Sequence, residues 1–229
     1  MAGRKMIVRV VPTAIRRALK TWLARLHRLL EACRAGNDVY QLQRLGRYAA
    51  GVASYARPRV WDFEGSHRDQ VVIGKYCSIA EGIRIVLGGE HPTTWVSTYP
   101  FRAALDLPGK HTDGMPFSRG DVVIGNDVWI GNDAFLRSGV HIGDGAIVGA
   151  CTVVTRNVRP YEIVAGNPCR TIKMRFSEEQ IAALLEIRWW DWPHEMILEN
   201  VSLLSSPDID EFIRRFGKNR VCTSDAVRD

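Results

Sequence analysis

Every sixth residue from Ile124 to Val154 is aliphatic, and this period limits what the chain can fold into more than any other feature. An α-helix repeats about every 3.6 residues and a strand about every 2, so neither element alone gives this spacing. One short strand plus one turn per hexad does, if the aliphatic side chain always points into one shared core. The aliphatic positions are Ile124, Ile130, Leu136, Ile142, Val148 and Val154. The fifth position of each hexad is small or β-branched: Val128, Ala134, Val140, Ala146, Thr152 and Val158.

The same phase recurs upstream at Ile73, Ile79 and Ile85. Repetition at a short fixed period is typical of a solenoid, in which each unit covers the apolar face of its neighbour. A β-sandwich with coincidental spacing is disfavoured, because it gives no reason for nine phased aliphatic residues. The hexads therefore predict a mainly β solenoid of stacked repeats.

Composition places the chain among ordinary globular proteins. Its 229 residues are 46% hydrophobic and 24% charged, which suits one sizeable domain with appended helices. No apolar run approaches the roughly 20 residues that span a bilayer, and the N-terminus lacks the apolar core of a signal peptide. The five cysteines are an odd number and form no CxxC pair, so we expect reduced thiols in a cytoplasmic protein.

Positive charge is concentrated at the N-terminus. Residues 1–35 hold nine Lys or Arg against one acidic residue, whereas the remainder holds 22 basic and 24 acidic residues. A nucleic-acid-binding protein would spread basic residues over its folded domain, so no nucleic acid is expected. Residues 13–34 have the pattern of a basic amphipathic helix. Such a helix either lies on an anionic membrane as a peripheral contact or packs on the solenoid or a neighbouring subunit.

The sequence predicts three segments. Residues 1–44 form a basic amphipathic helical segment, 45–176 form the repeat domain, and 177–229 form a C-terminal helical segment. Residues 88–121 break the hexad phase, and a long loop inside a compact array is usually functional. C-terminal helices are predicted from the capping box at Ser177 through Arg188, at about 194–204, and at 208–216.

The loop contains a candidate general base. His91 lies in the sequence Gly-Gly-Glu-His-Pro-Thr-Thr-Trp-Val-Ser-Thr-Tyr-Pro-Phe. A histidine on a loop held by a rigid scaffold can take a proton from a hydroxyl group at neutral pH. The alternative is an ordinary solvated loop histidine.

The order of motifs resembles a known family. The loop, the hexads, the exit turn Ala165-Gly166-Asn167-Pro168 and the sequence Trp-Trp-Asp-Trp-Pro at 189–193 follow one another as in the hexapeptide-repeat acyltransferases of the xenobiotic acetyltransferase branch. That branch includes type-B chloramphenicol and streptogramin O-acetyltransferases and related sugar O-acetyltransferases. The resemblance covers about 45–205. It implies a left-handed parallel β-helix with an inserted loop, a homotrimer, and His91 as catalytic base. The handedness comes from the resemblance alone, because crossovers between parallel strands are normally right-handed.

The resemblance also implies acetyl-CoA as co-substrate. The residues implied to contact it are Asn132, Ala150, Thr155, Arg156, Arg170 and Lys173. Two positions beside the base depart from the family pattern: Glu90 stands where Asn is common, and Pro92 where a basic residue is common. These departures bear on acceptor specificity and on hydrogen bonding within the loop.

The sequence therefore predicts an acetyl-CoA-dependent O-acetyltransferase that acts on a hydroxyl of a saccharide or antibiotic-like acceptor. Two alternatives stay open: an N-acetyltransferase acting on an amino sugar nucleotide, and a non-catalytic hexapeptide-repeat scaffold. A zinc site would need three converging ligands. His91, His111 and His141 form no close pair at ligand spacing, so no metal is expected.

Overall fold

A computed structural model describes residues 39–63 and 68–217 of the chain. Most described elements are short strands, and the helices lie at the two ends and in the inserted loop. The strands are β1 Tyr48–Ala50, β2 Arg59–Asp62, β3 Val71–Ile73, β4 Ser78–Ile79, β5 Arg84–Leu87, β6 Val122–Ile124, β7 Trp129–Ile130, β8 Phe135–Leu136, β9 His141–Ile142, β10 Ile147–Val148, β11 Val153–Val154, β12 Glu162–Ala165 and β13 Arg170–Met174. The helices are α1 Val39–Arg44, α2 Phe101–Ala104, α3 Glu178–Ile187, α4 His194–Glu199, α5 Val201–Leu204 and α6 Ile209–Phe216, with a 3₁₀ turn at Trp189–Asp191.

The strands form three sheets that the chain visits in turn, which is the topology of a parallel β-helix. Sheet A has the order β1-β3-β6-β9, and sheet C has the order β11-β8-β5-β2. Sheet B has the order β13-β12-β10-β7-β4, and only its last strand, β13, is antiparallel to its neighbour. Each hexad therefore supplies one strand and one corner, and three hexads complete a coil.

The aliphatic positions of the hexads stack into columns inside the coils. Ile73 pairs with Ile124, which in turn pairs with Ile142 in sheet A. Sheets B and C repeat this pattern with Ile79, Ile130, Val148 and Val164, and with Ile85, Leu136 and Val154. All of these side chains are buried, and so are the six small residues at the fifth positions. The predicted mainly β fold of hexapeptide repeats is confirmed.

A second apolar cluster joins the C-terminal helices to the last coils. Tyr161, Leu184 and Phe212 are its buried members. Arg175 lies over the ring of Tyr161 and donates to the Gly145 carbonyl at 2.6 Å, so it ties this cluster to the β-helix. Ser177 caps α3, with both hydrogen bonds of the capping box present.

The helix predicted at about 194–204 is interrupted. Asn200 separates α4 from α5 with φ −112° and ψ 10°, and its side-chain amide donates to the Met196 carbonyl at 2.7 Å. An Asn side chain that bonds local backbone competes with the helical hydrogen bonds, which accounts for the break.

The amphipathic helix predicted at 13–34 lies outside the described residues. Its two predicted partners, a membrane surface and another part of the protein, both stay predictions. Among the residues that the structure describes, no helix is long and apolar enough to cross a membrane. The cytoplasmic location also stays a prediction.

A buried carboxylate closes the C-terminal end of the β-helix. Glu162 opens β12 and is fully buried, directed like Val164 to the inside of the coil. It accepts hydrogen bonds from Arg156 Nη2 at 3.0 Å and from the Arg159 backbone N–H at 2.8 Å, and the Thr171 hydroxyl also donates to it. Burial alone would raise the pKa of Glu162, but these hydrogen bonds outweigh it and lower the pKa to about 2.

We predict that Glu162→Gln destabilises the fold and removes one source of its acid sensitivity. The folded pKa lies below the ordinary 4.5, so this carboxylate stabilises the fold above about pH 4.5 and stops doing so as the pH falls toward 2. At pH 7 the substitution is expected to cost about 1–3 kcal/mol of unfolding free energy. Urea unfolding at pH 7, 4 and 3 measures it, with the exposed Glu195→Gln as control. An equal loss at all three pH values would contradict the assignment.

Candidate active site

The inserted loop leaves the β-helix between β5 and β6, where the sequence predicted a loop at residues 88–121. Gly88 and Gly89 have φ of +67° and +70°, a region open mainly to glycine, and they turn the chain outward. Glu90 and Phe117 then pair through both backbone hydrogen bonds, at 2.9 and 2.8 Å. This pair forms the neck of the loop. Residues 91–116 therefore extend from this neck.

His91 follows the neck directly. Its Nδ1 lies 2.6 Å from the Thr98 carbonyl oxygen. A carbonyl can only accept, so Nδ1 carries a hydrogen, and in the neutral tautomer with that hydrogen the lone pair is on Nε2. The side chain is exposed. The loop therefore holds the ring in an orientation in which Nε2 of the neutral form can take a proton.

An open apolar groove of about 620 Å³ runs along the same loop. Its lining includes Trp95, Tyr99, Phe101, Leu107 and Met115. The first three expose 41%, 53% and 52% of their surface. Exposed apolar side chains gathered in one place mark a surface that binds something. The groove can hold the apolar body of an acceptor on the loop that carries His91.

Two of the predicted acetyl-CoA contacts lie together at the corner between sheets B and C. Asn132 follows β7 and Ala150 follows β10, and the Cys151 backbone N–H donates to the Asn132 carbonyl at 2.8 Å. A Cβ on Gly131 would lie 2.7 Å from the Ala150 nitrogen, so only glycine permits this close stacking. Both Asn132 and Ala150 are exposed.

Arg170 extends the same edge, and Lys173 lies farther along the same strand. Arg170 begins β13 and pairs with Ala165 at the end of β12. Sheet B places β13 two strands from β10, about 10 Å at the usual strand spacing. Arg170 and Lys173 are both exposed on this terminal strand.

Thr155 and Arg156 lie at a different corner, the one between sheets C and A from which the loop leaves; we call it the loop corner. The Thr155 carbonyl accepts a hydrogen bond from Arg137 at 2.8 Å. Arg156 is engaged by the buried Glu162, although 41% of its side chain stays exposed. Five of the six predicted contacts therefore lie on the two corners that flank sheet C, and His91 is on the loop-corner side. Lys173 pairs with Ile163 and lies farther back along sheet B.

Comparison with known proteins identifies the family of the chain. The family model for bacterial transferase hexapeptide (six repeats) matches residues 121–156. The chain is 44% identical over 151 residues to a chloramphenicol acetyltransferase of Escherichia coli, covering 65% of this chain and 72% of that one. The chain belongs to the hexapeptide-repeat acetyltransferases.

Two further relatives agree with that assignment. A probable macrolide acetyltransferase of Lysinibacillus sphaericus is 41% identical over 155 residues, covering 66% of this acetyltransferase and 86% of the relative. A virginiamycin A acetyltransferase of Staphylococcus aureus is 41% identical over 150 residues, covering 64% and 68%. Family membership confirms the predicted class of enzyme, an acyltransferase.

A further cleft of the acetyltransferase lies away from the loop and the corners. It measures about 420 Å³ between the β-helix and the C-terminal helices, and its lining includes Tyr161, Phe176, Leu184 and Phe212. None of the predicted site residues lines it. Two acidic residues do, Asp127 and Asp208, and burial raises the pKa of Asp127. We interpret this cleft as a gap in the packing between the two apolar clusters, because the candidate catalytic and coenzyme-binding residues all lie on the loop, the corners and β13.

Two features of the site did not emerge from sequence reasoning. One is the aromatic groove of the loop, and the other is a pair of arginines, Arg119 and Arg137, around the Glu90 carboxylate. The only signal for the second was that Glu90 departs from the family pattern. Within the described ranges, no group of three or more His, Cys, Asp or Glu side chains is placed to hold a metal ion.

Proposed function

We propose that this acetyltransferase transfers the acetyl group of acetyl-CoA to a hydroxyl of an antibiotic-like or saccharide acceptor, with His91 as general base. The observation that carries the proposal is the bond from His91 Nδ1 to the Thr98 carbonyl. It fixes the ring and leaves Nε2 free on the loop that forms the apolar groove. A general base needs both properties: a defined position and an available lone pair.

The reaction then needs no covalent enzyme intermediate. His91 Nε2 accepts the proton of the acceptor hydroxyl as its oxygen attacks the thioester carbonyl carbon. The carbon–sulfur bond breaks, and the proton held by His91 passes to the departing coenzyme A thiolate. The products are the acetyl ester and free coenzyme A, and His91 returns to its neutral form. Fixing base and acceptor on one loop supplies the proximity that such a direct transfer requires.

The groove favours an acceptor with a substantial apolar body. Its aromatic side chains are Trp95, Tyr99 and Phe101, and the one arginine in its lining, Arg102, is paired with Asp113 at 3.2 Å. The relatives named above act on chloramphenicol, a macrolide and virginiamycin A. These names support an antibiotic-like acceptor over an amino sugar nucleotide, whose phosphates would call for unpaired cations in the groove.

We predict turnover of acetyl-CoA with at least one hydroxylated antibiotic, and its loss in His91→Ala. The substitution removes the only proton acceptor assigned to the reaction, so turnover should fall roughly 10²–10⁴-fold. Thiol release is measured with chloramphenicol, virginiamycin A, a macrolide, maltose and an amino sugar nucleotide as acceptors.

His111→Ala is the matched control, because His111 lies in the same loop and has no assigned role. Its turnover should match that of the wild type. Wild-type turnover in His91→Ala would leave the reaction without an assigned base. Turnover with the amino sugar nucleotide alone would favour the N-acetyltransferase alternative, and none with any acceptor would favour a scaffold.

Acetyl-CoA is proposed to bind along the corners that flank sheet C. We expect backbone groups at Asn132, Ala150 and Thr155 to bond the amides of its pantetheine arm. The exposed cations Arg170 and Lys173, with the exposed part of Arg156, are expected to bind its phosphates. Glycine at position 131 lets the Ala150 backbone stack directly on it, so Asn132 and Ala150 lie close together at this corner.

We predict that Arg170→Ala or Lys173→Ala weakens acetyl-CoA binding and leaves the fold intact. A hydrogen bond between charged groups contributes about 1.5–3 kcal/mol, so the dissociation constant should rise roughly tenfold to a hundredfold. Isothermal titration calorimetry measures it. Arg214→Ala, which removes an exposed arginine of α6, should bind acetyl-CoA as the wild type does. Unchanged affinity in both site variants would remove β13 from the coenzyme site.

The proposed assembly is a homotrimer of left-handed β-helices, as the family resemblance implies. Two observations support association. The predicted site residues of one chain are divided between two corners, and Trp129 and Ile172 of sheet B expose 55% and 60% of their surface. Cyclic symmetry would bring a corner of one chain against the loop of the next and close the assembly.

We predict that sedimentation equilibrium gives three times the mass of the 25.8 kDa chain at micromolar concentration. Ile172→Glu should weaken the assembly, because it puts a charge on an exposed apolar strand. A stable monomer of the wild type with full turnover would contradict the trimer.

A further inference from the structure

The carboxylate of Glu90 holds the neck of the loop to the β-helix. Glu90 Oε2 accepts a hydrogen bond from Arg119 Nε at 3.0 Å, and Oε1 lies 3.5 Å from both Arg137 Nε and the Ser138 hydroxyl. Only 19% of the Glu90 side chain is exposed. These partners come from two places. Arg119 lies where the loop returns toward β6, and Arg137 and Ser138 directly follow β8.

The contacts continue to the next coil. Arg137 lies at the loop corner after β8, and its Nη2 donates to the carbonyl of Thr155, at the same corner after β11. One guanidinium therefore bridges the residue before the base and a backbone group proposed to bind acetyl-CoA. The Arg137 Nε atom is buried and makes no hydrogen bond, so the Glu90 carboxylate is the anion that faces it.

We propose that Glu90 is a positioning residue for the reaction, which sets His91 against the acetyl-CoA site through its ion pairs with Arg119 and Arg137. This inference rests on the proposed function. His91 then has two attachments: the Thr98 carbonyl fixes the ring, and Glu90 fixes the point of the backbone from which the ring extends. The departure from Asn at this position supplies an anion between two cations, which an amide cannot do.

Loss of the carboxylate should displace the loop without unfolding it. The backbone pair between Glu90 and Phe117 remains, and so do the glycines that turn the chain outward. Two arginines would then face each other without the anion between them, and the neck would relax away from the coil. A shift of about 1 Å in a reacting group can cost up to roughly 10²-fold in rate. Arg119 keeps 47% of its side chain exposed, and ion pairs open to solvent contribute little to stability, so the main effect is expected on turnover.

The test is Glu90→Gln, alone and combined with His91→Ala, assayed by thiol release with the acceptor that gives the fastest wild-type rate. The single variant should lower kcat roughly tenfold and change the KM for acetyl-CoA less than twofold. In the His91→Ala background the base is absent, so Glu90→Gln should lower kcat less than twofold further. Glu90→Asp, which keeps the charge, should recover part of the loss.

Controls separate this role from a structural one. Glu211→Gln removes a carboxylate paired with Arg214 on α6 and should leave kcat unchanged. If Glu90→Gln does not fold, Arg119→Met removes the exposed partner and should lower kcat with the same dependence on His91.

Two results would overturn the inference and leave the proposed function intact: wild-type kcat in Glu90→Gln, or a tenfold loss that persists in the His91→Ala background. Wild-type turnover in His91→Ala would instead overturn the assignment of the base, and this inference with it.

Discussion

The stacking of one coil on the next underlies every other feature of this acetyltransferase. Parallel strands of two to four residues are too short to be stable alone. They persist because each ladder is continued by the next coil and because aliphatic side chains such as Ile130 and Leu136 are fully buried between coils. The result is a rigid prism with three edges. Chemistry can then be placed at the edges, where the chain turns and backbone groups are free to meet a ligand.

The proposed active site lies where the loop interrupts the hexad repeat. The loop corner carries an insertion that begins with two left-handed glycines and is closed by a single backbone pair at Glu90. From that neck the chain extends far enough to form an aromatic groove, yet His91 stays one residue from the scaffold. The proposed base is thus as well positioned as the neck is, and the groove lies on the part of the loop beyond it.

The sequence predicted the features that depend on local pattern. The hexad period gave the core residues, and the capping box at Ser177 marked the start of α3. Contacts between residues that are far apart in the sequence could not be predicted from it. That Arg156 meets a buried Glu162, or that Glu90 lies between Arg119 and Arg137, depends on which corners stack. A period cannot reveal side-chain partners across coils. Asn200 was missed because a helix pattern does not show when a side chain competes with the backbone.

A repeating prism has no intrinsic length, and an uncovered last coil resembles the exposed edge of a sheet that can recruit another chain. The buried, hydrogen-bonded Glu162 and the antiparallel strand β13 together make the C-terminal end of the β-helix a poor surface for adding another coil. A copy added there would meet a strand of the wrong direction on sheet B and would have to desolvate Arg156 to cover the charge beneath it. This end thus works against open-ended polymerisation and leaves lateral association through the sheet faces as the favourable way to oligomerise.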